Sequence, residues 1–290
     1  MVSTFLHRIN PLCRKNRTHA KNAALGSIAT AVLFTITVVT GSALPEIPAA
    51  QAISKGEKAT RPDVVQIHIY DKPDGTPHRC TGTALNDQWI LTAAHCVEGE
   101  TYSSPDVPVD VLKVFYSNNK EQPGAATRVD KYVKHSHADI ALLHVATAHQ
   151  LHNYPTLLDN HPFVKDQKVE LYGYGKGFQD APVTWLRKAE LKVIGQEDHI
   201  NAGHVFVMRG VTGGSNHGDS GGPVFDDKGR IMGVNVIGSH SVWADPYAES
   251  KAVDVQHYAD WVRETTGIKP ASNQAPTRPG ANLSARLSSF

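Results

Sequence analysis

The chain is short of cysteine, of net charge and of long hydrophobic runs, and each shortage excludes a class of protein. Only three cysteines occur among 290 residues, which allows no more than one disulfide bond within the chain. The formal net charge is +1 and no run of basic residues follows residue 52, so the composition does not indicate a nucleic-acid-binding surface. No stretch after residue 41 approaches the ~20 apolar residues that cross a bilayer, which excludes a protein with several membrane spans.

The first 52 residues have the pattern of an export signal. A basic segment without acids (1–22) precedes an uncharged, mostly apolar segment (23–41), and small-residue sites follow at Gly41-Ser42-Ala43 and Ala50-Gln51-Ala52. This order predicts a secretory signal peptide at 1–52, or a signal ending at Ala43 followed by a short propeptide at 44–52. The alternative is an uncleaved membrane anchor. Loss of this segment removes Cys13, five of the 29 basic residues and one of the 28 acids.

A glycine-rich stretch near residue 220 carries one reactive hydroxyl among residues with very small side chains. It reads Gly218-Asp219-Ser220-Gly221-Gly222-Pro223. Glycine lets the backbone turn sharply and direct amide N–H groups into the space beside the serine oxygen. If Ser220 attacks a carbonyl, the N–H groups of Gly218 and Ser220 can stabilise the developing oxyanion, and one such donor contributes roughly 3–4 kcal/mol in known enzymes. Ser220 is therefore the candidate nucleophile.

A serine hydroxyl is a weak nucleophile, and two other stretches supply a base and an orienting acid. His95 lies in Leu91-Thr92-Ala93-Ala94-His95-Cys96, and Asp139 precedes the apolar run Ile140-Ala141-Leu142-Leu143. The chain order His95, Asp139, Ser220 is that of the chymotrypsin type and differs from the subtilisin and hydrolase-fold orders. On these three motifs, the segment from about Ile53 to Gly267 resembles the trypsin/chymotrypsin-like serine protease family.

The resemblance implies a fold and a covalent cross-link. It implies an all-β fold of two six-stranded antiparallel β-barrels and a C-terminal helix, with His95 and Asp139 on the first barrel and Ser220 on the second. It also implies a disulfide between Cys80 and Cys96 that staples the histidine loop, which requires an oxidising compartment. Because the cysteines of other disulfides frequent in the family are lacking, the chain resembles a secreted, bacterial-type member.

Periodicity along the chain favours the same fold class. Apolar residues at 65, 67 and 69 alternate with Gln66, His68 and Tyr70, which predicts a half-buried strand. Other short strands, one of them at 186–194, are separated by turn residues, as is typical of a barrel or a sandwich. We expect a protease domain at 53–267, with a barrel at about 53–150, a second barrel at about 163–250, a helix at about 255–266 and a disordered tail at 268–290.

The segment Ile53-Ser54-Lys55-Gly56 resembles the new N-terminus that activating cleavage exposes in this family. The resemblance implies that the freed ammonium group of Ile53 folds inward and pairs with the carboxylate of Asp219. A buried ion pair that lacks one partner costs about 3–5 kcal/mol, so this pairing would couple cleavage to ordering of the oxyanion loop. Either signal peptidase or a separate protease can generate Ile53.

The substrate pocket departs from the family pattern. In the family, the residue six positions before the catalytic serine forms the base of the pocket, and an aspartate there selects Lys or Arg. That position is Gly214 in this chain, and Val236-Ile237 replaces the usual Ser-Trp. We expect a preference for uncharged substrate side chains, and the alternative is a preference for acidic ones through Asn235 or His240. The predicted pocket residues are Gly214, Ser215, His217 and Gly238, with Asn216 on the same approach.

The sequence thus predicts a secreted serine endopeptidase that forms an acyl-enzyme, requires no cofactor and acts as a monomer on protein or peptide substrates. No metal-binding set is predicted, and the closest histidine pair, His135 and His137, is interpreted as a surface feature. The alternative is a non-catalytic binding module on the same fold, since fold alone does not determine function.

Overall fold

The computed structural model describes residues 53–98, 106–239 and 243–268, which lie within one compact unit. The predicted export signal, His240 and the tail beyond Ile268 lie outside these residues. Within the described part of the chain, no helix is long and apolar enough to cross a membrane.

Six strands close the first barrel, after a two-residue strand β1 (Glu57–Lys58). Their order around the barrel is β2-β3-β4-β7-β6-β5, with β5 paired to β2, and every pairing is antiparallel. The strands are β2 (Val64–Ile69), β3 (His78–Ala84), β4 (Trp89–Thr92), β5 (Leu112–Phe115), β6 (Thr127–Lys134) and β7 (Ala141–Val145).

The expectation that β2 is half-buried is wrong, because both of its faces are covered. Gln66 is 1% exposed and His68 is 3% exposed. The Gln66 amide donates hydrogen bonds to the carbonyl oxygens of Ser117 (2.7 Å) and Asn119 (3.1 Å), and the His68 ring packs on Phe115 with centroids 4.6 Å apart. Hydrogen bonding therefore lets these polar side chains occupy buried positions that alternation assigns to the surface.

Six strands also close the second barrel, in the order β8-β9-β10-β13-β12-β11, with β11 paired to β8. Strand β1 pairs antiparallel with the first two residues of β9, so the segment after Ile53 belongs structurally to this barrel. The strands are β8 (Lys168–Gly173), β9 (Arg187–His199), β10 (Gly203–Gly210), β11 (Pro223–Phe225), β12 (Ile231–Gly238) and β13 (Ser250–Asp254).

A short helix closes the described chain. Asp254 accepts a hydrogen bond from the backbone N–H of Gln256 and begins a 3₁₀ turn at Val255–Tyr258, which leads into helix α1 at Ala259–Thr266. Gly267 ends the helix with a φ of 74°, a left-handed conformation that favours glycine. Two closed six-stranded antiparallel barrels and one C-terminal helix confirm the predicted fold class.

Candidate active site

The loop that follows β4 carries His95. The residue lies in a 3₁₀ turn at Ala94–Val97, and a disulfide between Cys80 and Cys96 joins this turn to β3. The predicted cysteine pairing is thus confirmed. Because the bond connects residues next to the histidine and on a barrel strand, it restrains the backbone that positions the imidazole.

His95 and Asp139 form a close pair. The ring Nδ1 of His95 lies 2.6 Å from Oδ2 of Asp139, and the backbone N–H of His95 donates to the other carboxylate oxygen at 2.9 Å. Burial alone would lower the pKa of His95, but the hydrogen bond and the charge of Asp139, together with Glu98, raise it above its ordinary value. The carboxylate therefore both orients the ring and favours its protonated form.

The β9–β10 turn of the second barrel fixes the position of Asp139. The backbone N–H of Asp139 donates to the carbonyl oxygen of Ala202, in this turn, at 3.2 Å. A Cβ atom at Gly203 would lie 2.8 Å from Cβ of Ala138 and 3.0 Å from the carbonyl oxygen of His137. This close approach requires glycine and joins the two barrels directly beside the His95–Asp139 pair.

The loop that carries Ser220 packs against the first barrel. The backbone N–H of Thr81 donates to the carbonyl oxygen of Ser220 at 2.8 Å, and the Thr81 hydroxyl donates to that of Gly218 at 2.9 Å. Gly221, with a φ of 79°, fits against Thr92 and Ala93, where a Cβ atom would overlap the Thr92 hydroxyl. The loop thus lies beside the two residues that lead into the histidine turn.

Two amide groups of this loop have no hydrogen-bond acceptor among the described residues. Among the described residues, neither the N–H of Gly218 nor that of Ser220 donates a hydrogen bond, whereas the N–H groups of Asp219, Gly221 and Gly222 all do. Gly218 has a φ of 95°, which favours glycine. The free amides are the two that the sequence predicts for an oxyanion hole.

Asp219 is a fully buried carboxylate beneath this loop. It accepts the backbone N–H of Gly175 at 2.7 Å and that of Asn216 at 2.8 Å. Burial raises the pKa of Asp219 to about 7, against the opposing effects of these two donors and of Lys120. Nζ of Lys120 donates hydrogen bonds to the carbonyl oxygens of Tyr174 and Gly175. Its positive charge favours the ionised form of Asp219 from beyond contact distance.

Ile53 lies inside the second barrel although the chain continues upstream of it. Its side chain is 0% exposed and packs with Leu171, Val193 and Met208. The next residue forms an antiparallel bridge with Gly214, whose N–H donates to the carbonyl oxygen of Ser54 at 3.0 Å. The predicted partner of Asp219 is an amine, and in the uncleaved chain this nitrogen belongs to a peptide bond, so the pairing stays a prediction.

One of the predicted pocket residues, Ser215, contacts the buried amide of Asn235. Nδ2 of Asn235 donates to the Ser215 hydroxyl at 2.8 Å and to the carbonyl oxygen of Asp219 at 3.2 Å, while its Oδ1 has no partner among the described residues. Gly238 lies close to Ser215: a Cβ atom added to Gly238 would be 3.5 Å from the carbonyl oxygen of Ser215. A Cβ atom added to Gly214 would be 2.8 Å from the carbonyl oxygen of Pro246.

Two neighbours of the pocket have other roles. The Asn216 amide donates to the carbonyl oxygen of Gly177 at 2.7 Å and accepts the N–H of His217 at 2.8 Å, so it supports the loop. His217 is exposed. Sequence reasoning missed Lys120, because it lies in a polar loop far from Asp219 along the chain and no local pattern marks it.

Comparisons with known proteins find one family model and several relatives. A family model described as Trypsin matches residues 53–262. The chain is 31% identical over 197 residues to "Trypsin" of Simulium vittatum, covering 60% of this chain and 76% of that protein. It is 28% identical over 223 residues to "Serine protease 1" of Drosophila melanogaster, covering 65% and 76%.

Solved structures of similar fold include two inactivated protease paralogues of the scabies mite. Paralogue S-I1 has a TM-score of 0.59 at 23% identity and covers 72% of this chain and 97% of its own. Paralogue S-D1 has a TM-score of 0.61 at 19% identity and covers 76% and 100%. At these identities the likeness concerns the fold alone.

Proposed function

Because the chain belongs to the trypsin family, we propose that it is a serine endopeptidase that uses Ser220, His95 and Asp139. The observation that carries the proposal is the His95–Asp139 pair at 2.6 Å, together with a serine loop that packs on Thr92 and Ala93 just before the histidine turn and has two unused amides. These are the components of acyl transfer: an oriented base, a nucleophile and donors for the oxyanion.

The reaction proceeds in two halves. Oγ of Ser220 attacks the peptide carbonyl carbon while its proton passes to Nε2 of His95, the nitrogen that Asp139 does not occupy. The imidazolium then protonates the leaving amine, the C–N bond breaks and an acyl ester remains on Ser220. Water, deprotonated by the same imidazole, hydrolyses the ester and restores the serine hydroxyl.

Asp219 connects this chemistry to cleavage of the chain. A carboxylate with a pKa of about 7 is poorly compensated by its two N–H donors and the distant Lys120. Cleavage before Ile53 would supply an ammonium group at a residue whose side chain already lies in the second barrel. The ion pair would then stabilise the loop that carries the Gly218 and Ser220 amides.

The pocket favours an uncharged substrate side chain. Gly214 offers no carboxylate for Lys or Arg, and the buried polar groups at its side are the Ser215 hydroxyl and the Asn235 amide. The unpartnered Oδ1 of Asn235 can accept a hydrogen bond, which suits a neutral donor better than a carboxylate. Residues 1–52 would direct export, and the enzyme would act as a monomer on proteins or peptides.

Cleavage profiling on a peptide library tests the proposal. The chain beginning at Ile53 should cleave after uncharged side chains, and Ser220→Ala should abolish cleavage. Tyr116→Phe is a matched control, because it also removes a single hydroxyl, one that is buried without a partner among the described residues, and it should retain activity. A preference for Lys or Arg would refute the pocket assignment. Absence of cleavage by the folded, processed chain would instead indicate a non-catalytic binding module.

A further inference from the structure

Three metal-ligating side chains meet on the second barrel, and none of them belongs to the proposed triad. They are His204 on β10, Asp254 at the end of β13 and His257 in the 3₁₀ turn, and one ligand atom from each lies within 4.8 Å of the others. Nδ1 of His257 is 3.2 Å from Oδ2 of Asp254, and the two imidazole centroids are 3.9 Å apart.

The fold explains why residues fifty positions apart converge. Strands β10 and β13 are antiparallel, and Val205 pairs with Val253, which brings the preceding His204 beside the following Asp254. His257 comes three residues after Asp254, and a 3₁₀ turn places residues i and i+3 above one another. The juxtaposition is therefore fixed by backbone register.

Neighbouring polar groups hold the cluster in the manner of a metal site. Nδ1 of His204 lies 2.8 Å from a carboxylate oxygen of Asp198, which leaves Nε2 as the nitrogen with a free lone pair. Asp254 is 1% exposed, and its Oδ2 accepts hydrogen bonds from the amides of Gln196 (3.2 Å) and Gln256 (2.9 Å). Metal-binding histidines commonly donate their second ring N–H to a carboxylate in this way.

We propose that His204, Asp254 and His257 bind a divalent transition-metal ion of the zinc type. Two imidazole nitrogens and one carboxylate oxygen are ligands that zinc prefers, whereas calcium and magnesium prefer oxygen alone. With metal–ligand distances of about 2.0–2.2 Å, tetrahedral ligand atoms lie roughly 3.4 Å apart. The His204 and His257 side chains, 24% and 45% exposed, can rotate to close that distance around the buried carboxylate.

The site is open to solvent and would join two elements of the barrel. His257 borders a cavity of about 470 Å³ that Asp159, His161 and Gln256 also line, which provides an entry path and room for water ligands. A bound ion would cross-link β10 to the turn before α1. An ion that binds only the folded state stabilises that state by mass action.

Calorimetric titration with zinc chloride tests the proposal without depending on protease activity. The protein is the full chain carrying Ser220→Ala, treated beforehand with a chelator. We expect one ion bound with an affinity that His204→Ala and His257→Ala each weaken at least about 10-fold, and Asp198→Asn about 10-fold. At 100 times the Kd, zinc should raise the unfolding midpoint by about 5 °C.

His144→Ala is the matched control. Nδ1 of His144 lies 2.6 Å from a carboxylate oxygen of Asp130 on the first barrel, a His–carboxylate pair outside the proposed site, and its loss should leave the affinity unchanged. The proposal is overturned if zinc does not bind, or if folded His204→Ala and His257→Ala bind it as the parent does. Equally tight binding of calcium would overturn the assignment to the transition-metal class.

Discussion

The charge on Asp219 should destabilise the uncleaved chain in a pH-dependent manner. The carboxylate is 0% exposed and its only described hydrogen-bond donors are the backbone N–H groups of Gly175 and Asn216. Burial raises its pKa from the ordinary value of 3.8 to about 7. Between these values the folded chain keeps a proton that the unfolded chain releases, so stability falls as pH rises from about 4 to about 7.

The size of this effect follows from the pKa. A difference of about three pKa units corresponds to roughly 4 kcal/mol of destabilisation of the folded chain. This destabilisation is present in full above about pH 7 and absent below about pH 4. Asp219→Asn removes the charge but also one acceptor oxygen, which leaves one of the two N–H donors unpaired and costs about 1–3 kcal/mol at every pH. The variant should therefore be less stable than the parent at pH 4 and more stable at pH 8.

Urea unfolding at several pH values, in the full chain carrying Ser220→Ala, measures the two curves. The difference between parent and Asp219→Asn should change sign between pH 4 and pH 8. Asp226→Asn is the matched control, because Asp226 is buried but pairs with Arg230 at 2.6 Å, and its loss should reduce stability at pH 8. Parallel curves for Asp219→Asn and the parent would refute the reasoning.

Three further predictions concern the triad, the disulfide and the serine loop. Asp139→Asn should lower kcat about 10⁴-fold. In the parent, Asp139 raises the pKa of His95, so kcat/KM should rise with pH through a midpoint above 6.5, and a lower midpoint would contradict the pairing. Replacing Cys80 and Cys96 by serine should cost about 3 kcal/mol in urea unfolding, given their separation of 16 residues, and reduction of the parent should match it. Gly221→Ala should cost at least about 1–3 kcal/mol and lower kcat, because the residue has a positive φ and an added Cβ overlaps Thr92; unchanged stability and activity would refute that packing.

Periodicity favoured an all-β fold, and the resemblance to the serine protease family implied the two barrels and the Cys80–Cys96 disulfide. Alternation located strands but not their ends: the strand expected at 186–194 extends to His199, because its polar final residues pair with β10. The helix expected at 255–266 begins as a 3₁₀ turn and becomes α-helical at Ala259. Strand ends depend on partners that a single sequence does not reveal.

Contacts between distant residues could not be predicted. Gln66 and His68 are buried because partners from 115–119 cover them, and Lys120 approaches Asp219 only once both barrels are formed. The Asp-x-x-His spacing at 254–257 is a local signal of metal ligation, but the third ligand arrives through the register of β10 and β13. Such convergence follows from topology rather than from local periodicity.

The most direct test of the central claim is covalent labelling of the chain beginning at Ile53 with a fluorophosphonate probe, followed by peptide mass mapping. One adduct on Ser220 is predicted, and it should disappear in Ser220→Ala and in folded His95→Ala, because the serine depends on the imidazole for its reactivity. A folded, correctly processed chain that carries no adduct on Ser220, or an adduct that persists without His95, would contradict the account.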